Sequence, residues 1–145
     1  MTDISNAYEN YSKLRREAAT FNRTIVFDAL SAAQITSVTV TFDGEGDSGQ
    51  IEGIAAYAGD DAREIPLVRL DIHTASWGKD TIDRTSVLLS DVIEQLCYDL
   101  LWQEHDGWEI NDGSFGEFTF DVASRRIELT FNARFADFVR HVHTF

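Results

Sequence analysis

Gly46-Asp47-Ser48-Gly49 spells four letters of the nucleophile motif of trypsin-like serine proteases. Such a serine needs a histidine to take its proton and an aspartate to orient that histidine, both in hydrogen-bonding reach. In those proteases the histidine and aspartate precede the serine. Here the histidines are His73, His105, His141 and His143, so none precedes Ser48. Gln50 stands where the motif continues with glycine, and 145 residues are too few for the two barrels of that fold. A trypsin-like protease is therefore set aside. What survives of the serine reading is a small convergent hydrolase using Ser48 with His73 or His105.

The longer stretch Asp43-Gly44-Glu45-Gly46-Asp47-Ser48-Gly49 supports a different chemistry. Carboxylates at alternate positions suit a Ca²⁺ or Mg²⁺ loop, because a hard cation gathers oxygen ligands around a tight turn. The EF-hand pattern fails: Ser48 occupies the place of its loop glycine and Ile54 the place of its last glutamate. Asp43, Glu45 and Asp47 remain candidate ligands of a non-EF-hand site. The plainest reading is a solvated hairpin loop, its glycines supplying positive φ and Asp47 or Ser48 capping backbone amides.

A second acidic stretch runs through Trp108-Glu109-Ile110-Asn111-Asp112-Gly113-Ser114-Phe115-Gly116-Glu117. Asn-Asp-Gly is a strong turn signal, and Trp108 and Phe115 read as plugs at the end of the core. Structure alone seldom requires so many unbalanced acids together. Asp106, Glu109, Asp112 and Glu117 are accordingly combined with Asp43, Glu45 and Asp47 into one acidic, partner-binding surface.

The other reactive side chains have simpler readings. His141 and His143 would share one side of a strand, a usable metal-ligand spacing, but the tail is predicted helical, where they point roughly 200° apart. His105 suits a helix C-terminus, where a cation is favoured. Cys97 falls in an apolar helical stripe and reads as a small core hydrophobe. Lys13, Arg15 and Arg16 read as the solvated face of the first helix.

These residues must be positioned by elements, and the hydrophobic spacing supplies them. Ile4, Tyr8, Tyr11, Leu14, Ala18, Phe21 and Ile25 recur at helical spacing, predicting a helix that reaches about Gln34 with a break near Asn22. Val38, Val40 and Phe42 then alternate with polar residues, as in a half-buried strand. A loop over 43–49 and a second strand over 50–58 complete a hairpin. A third strand is expected over 64–73, at a sheet edge because it contains Pro66, the only proline. Leu88, Leu89, Val92, Ile93, Leu96, Cys97, Leu100 and Leu101 predict a helix over 86–104. Phe118, Phe120 and Val122, then Ile127, Leu129 and Phe131, predict a second hairpin closed at 123–125. Phe135, Phe138, Val139 and Val142 return to helical spacing. The fold class expected is α+β: one domain over 1–145, an antiparallel sheet of about five strands in two hairpins. An N-terminal, a central and a short C-terminal helix pack on one face.

Composition narrows the function. Twelve Lys and Arg against 25 Asp and Glu give a net charge of −13, which opposes direct nucleic-acid binding and an anionic membrane surface. The excess is regional. Residues 1–35 hold four acids and four bases, whereas 36–145 hold 21 acids and eight bases. A single cysteine makes neither an internal disulfide nor a multi-cysteine zinc site. With no apolar run long enough for a membrane span and a polar, acidic start, the expected location is the cytoplasm.

Phe42 to Glu52 (F-D-G-E-G-D-S-G-Q-I-E) and Gly107 to Asp121 (G-W-E-I-N-D-G-S-F-G-E-F-T-F-D) together resemble a bacterial domain-of-unknown-function family. That family pairs a G-D-S-G loop with a W-x-x-N-D-G-x-x-G segment. The resemblance runs from about residue 25 to about 135 and implies a small bacterial protein of plasmid or phage context. It carries no assigned reaction and no catalytic residues.

The function expected is a non-enzymatic acidic binding protein that docks on a basic protein partner, in the manner of nucleic-acid-mimicking, anti-defence inhibitors of mobile elements. The first alternative is a Ca²⁺ or Mg²⁺ module using the 43–49 loop, with no other cofactor. The second is the Ser48 hydrolase.

Overall fold

A computed structural model describes residues 4–45, 48–78, 81–104, 113–133 and 139–145. Its elements, in chain order, are α1 (Ile4–Ala32), β1 (Ser37–Glu45), β2 (Ser48–Ala58), β3 (Asp61–Arg63), β4 (Arg69–Ala75), β5 (Ile82–Leu88), α2 (Leu89–Glu104), β6 (Ser114–Asp121), β7 (Arg126–Ala133) and β8 (Val139–Thr144). The α+β class with antiparallel pairing holds. The strand count does not: one sheet has six strands in the order β3-β2-β1-β6-β7-β8, and β4 and β5 form a second sheet of two.

α1 keeps its apolar spacing without interruption through Asn22, so the expected break is absent. Its end is a Schellman motif. The Gln34 N–H donates to the Ser31 carbonyl and the Ile35 N–H to the Leu30 carbonyl, each at 3.0 Å, with Gln34 at φ 62°. Ile35 and Leu30, both buried, close the hydrophobic contact that accompanies this cap.

Alternation in β1 sends Val38, Val40 and Phe42 to the core, where they meet Phe118 and Phe120 of β6 and Ile127, Leu129 and Phe131 of β7. Val26, Phe27 and Leu30 of α1 and Val92, Ile93, Leu96, Cys97 and Leu101 of α2 cover that same face. Phe27 and Phe120 rings lie 5.9 Å apart across the interface. Gly116 sits between Phe42 and Phe131 in the ladder, and without a side chain there the two rings approach to 6.2 Å. At the β1–β2 register shift, where Phe42 faces Ile51 and Glu52 is the extra residue, the Ile51 N–H donates to the Tyr98 hydroxyl at 3.0 Å.

Four further sequence expectations are corrected here. The loop over 43–49 is much shorter, because 43–45 continue β1 and 48–49 already belong to β2. No strand spans 64–73: the chain leaves the large sheet after Arg63 and crosses 64–68, which include Pro66, without ladder bonds before entering β4. Residues 82–88, partly assigned to the central helix, are β5, a mostly exposed strand whose weak alternation hides it. The tail is the largest correction, since 139–144 form β8 and not a helix. β7 would otherwise be a bare edge, and main-chain pairing with β8 outweighs an apolar spacing that is compatible with both periods. Phe135 and Phe138 lie outside the described residues.

Candidate functional site

The β1–β6 register decides whether the two acidic segments meet. Gly44 pairs with Ser114, Asp43 with Phe115 and Thr41 with Glu117. The end of β1 and the start of β6 therefore lie side by side, one strand spacing apart, about 4.8 Å. Asp43 and Glu117 are diagonal neighbours on the sheet face opposite the helices, since Phe42 and Phe118 beside them point to the core. The nearby buried polar group is satisfied: Asn132 Nδ2 donates to the Phe115 carbonyl at 3.2 Å, and Arg140 Nε donates to Asn132 Oδ1 at 3.1 Å.

The same alternation brings Asp121 and Glu128 to that outer face, two carboxylates that the sequence analysis did not include. Their signal was present in the strict polar positions of Glu117-x-Thr119-x-Asp121 and Glu128-x-Thr130-x-Asn132. Asp121 also accepts the Ser124 N–H at 3.2 Å, holding the β6–β7 turn. The face carries cations as well, Arg126 opposite Asp121 and Arg140 opposite Asn132. It is thus an acidic field bordered by two arginines near β8.

Glu45 is the last residue of β1. Asp47, Asp106, Glu109 and Asp112 lie outside the described residues, as does His105. Ser48 opens β2 opposite Glu45. His73, its suggested base, belongs to the two-stranded sheet, where its ring stacks on Phe21 at 3.6 Å between centroids.

Because the tail is a strand, His141 and His143 do share one side, facing inward with Phe131 and Leu129. Their rings stack at 6.5 Å, and His143 Nδ1 lies 3.9 Å from Glu104 Oε2. Among the described residues, no group of three or more His, Cys, Asp or Glu side chains is placed to hold a metal ion. Cys97 is fully buried, and burial, helped by Glu94, pushes its thiol well above the usual range. Such a thiol is a poor nucleophile.

The basic stripe of α1 is more than a solvated face. Arg15 Nη2 contacts Asp99 Oδ1 of α2 at 3.3 Å. Arg23 Nη2 donates to the carbonyls of Arg125 and Phe145 at 2.8 and 3.0 Å, tying α1 to the β6–β7 turn and the end of β8. Burial lowers its pKa, and its guanidinium lies 5.7 Å from the Phe27 ring centre. No helix among the described residues is long and apolar enough to cross a membrane.

Comparison with known proteins places the chain in a family of unknown function, DUF6878, which matches residues 18–145; the chain belongs to that family. The match takes in every element described above except the first half of α1. No curated protein and no solved structure matches the chain.

Proposed function

We propose that this member of a family of unknown function is a non-enzymatic binding protein that docks its carboxylate-bearing sheet face on a basic protein partner. The observation that carries this reading is the register that sets Asp43 beside Glu117 on the face the helices leave open. Asp121 and Glu128 extend the field across β6 and β7, and Glu45 ends the strand that carries Asp43. Fixed on a sheet, these charges keep their spacing, about 5 Å between strands and about 7 Å along one. Preorganised charge of one sign steers a cationic partner and occupies a surface built for phosphates. The form of this reading that best suits a chain of net charge −13 is a nucleic-acid mimic. It would inhibit a nuclease or another nucleic-acid-binding protein as an anti-defence factor of a bacterial mobile element.

The test is capture of bacterial-lysate proteins on the immobilised chain at rising salt. Binding is expected to fall steeply with salt, to be competed by duplex DNA, and to weaken at least about tenfold when Asp43 and Glu117 are both changed to Lys. Asp60→Lys with Asp61→Lys changes net charge equally at the start of β3 and should keep most of the binding. Salt-insensitive capture, or equal loss in both double variants, would overturn the docking face. A thermal melt at fixed ionic strength separates the cation reading: a Ca²⁺- or Mg²⁺-specific rise of several degrees, the size expected at about a hundred times the dissociation constant, would reassign the 43–47 carboxylates to a metal. Hydrolysis lost in Ser48→Ala would reassign the function to catalysis.

A further inference from the structure

A groove runs between α1 and α2 on the helical side, away from the acidic sheet face. It has two lobes, about 380 and 300 Å³, which share Arg16, Ala19, Asp99 and Gln103 and are therefore continuous. Those volumes fall at the lower end of the range for small-molecule sites. Arg15 lines one lobe and Arg23 the other, so among the described residues three guanidinium groups face a single carboxylate, Asp99. Two of the three are engaged, Arg15 by Asp99 and Arg23 by two carbonyls. Arg16, which lines both lobes, has no side-chain partner among the described residues. Beneath these cations the second lobe is apolar, with Leu96 and Leu100 of α2, Ile127 of β7 and Phe145.

The arrangement is selective. The excess of two positive charges sits in a chain whose net charge of −13 repels anions at long range. A bare anion gains little against that field, whereas one with an apolar body adds burial on the floor at roughly 25 cal/mol per Å². An arginine with unused donors is suited to a carboxylate or phosphate, which it can hold through two parallel hydrogen bonds. The carbonyl contacts of Arg23 hold the wall in place before any ligand arrives. We propose that this groove binds a small amphipathic organic anion, its head on Arg16 and the free donors of Arg15 and its apolar body on Leu96, Leu100, Ile127 and Phe145.

Calorimetric titration of the full chain at low salt tests this with octanoate and octyl phosphate, set against octanol and inorganic phosphate. At least one of the two amphipathic anions is expected to bind about tenfold or more tightly than octanol and than inorganic phosphate. Arg16→Glu is expected to weaken that binding about ten- to a hundredfold, the range of one charge-assisted hydrogen bond. Ala19→Leu, which fills the groove and preserves helix propensity, is expected to weaken it as well, with a melting curve showing the variant folded. No binding of either anion, octanol binding as tightly, or unchanged affinity in Arg16→Glu would overturn the proposal.

Discussion

Asn22 holds both backbone polar groups of His73. Its Nδ2 donates to the His73 carbonyl at 2.9 Å, and the His73 N–H donates to its Oδ1 at 2.8 Å. One edge of β4 is paired with β5, and the Asn22 amide serves the other edge at this residue as a neighbouring strand would. Asparagine in a helix interior is a poor helix former, and here its cost is offset by joining α1 to the small sheet.

Asn22→Ala should leave both His73 groups half-buried without a partner. A loss of about 1–3 kcal/mol is expected, read from urea denaturation. Faster hydrogen exchange at the His73 amide would localise the effect, and an unchanged midpoint would show that water replaces the side chain without penalty.

Gly116→Ala is expected to be among the most damaging small substitutions. A Cβ there would collide with the Thr130 carbonyl oxygen and stand 3.0 Å from the Phe42 ring, and backbone cannot yield as a side chain can. Overpacking of this kind costs about 1–3 kcal/mol, and more when strands must part. The measurement is a melt. Because Gly116 lies next to Glu117, loss of partner binding in this variant would also follow from a displaced acidic row.

Gln34→Gly should stabilise the protein. The left-handed conformation at φ 62° costs a residue with a Cβ about 1–2 kcal/mol. The greater unfolded-state freedom of glycine takes back about 0.4–1 kcal/mol. A net gain of up to about 1 kcal/mol is expected in denaturant midpoint, while Gln34→Val should lose stability because a β-branched residue tolerates that conformation least.

Asp99 sets a pH dependence. Burial pushes its carboxyl above the usual range, against the pull of Arg15. A carboxyl whose folded pKa is raised binds its proton more tightly in the folded state. That contribution is therefore fully present at low pH and lost as pH rises through the folded pKa. Asp99→Asn, neutral at every pH, should gain stability relative to wild type near neutrality, and the difference should shrink as pH falls through the carboxylate range. A parallel pair of stability-versus-pH curves would contradict this.

Much of the fold was legible in particular residues. Val38-x-Val40-x-Phe42, Phe118-x-Phe120 and Ile127-x-Leu129-x-Phe131 have the period of a half-buried strand and are buried as that period requires. The run from Leu89 to Leu101 has helical period and forms α2. β5 was not legible, because Asp83-Arg84-Thr85-Ser86 shows no apolar alternation and is held as a strand by pairing with β4. The tail departs from its local pattern for a related reason. Val139 and Val142 fit a helical face, and only the open edge of β7 favours the extended form that places His141 and His143 on one side.

The candidate site divides in the same way. The amino-acid sequence by itself determined the net negative charge, its concentration beyond residue 35, and the strand parity that turns Glu117 away from Phe118. These are properties of composition and local period, carried by each segment wherever it lies. Only tertiary structure decided that Asp43 would lie beside Glu117 and that Arg15, Arg16 and Arg23 would face Asp99 across a groove. Those are contacts between segments some 75 or more residues apart. They follow from strand register and helix packing, where burial of the whole core selects one arrangement among several that local periodicity permits.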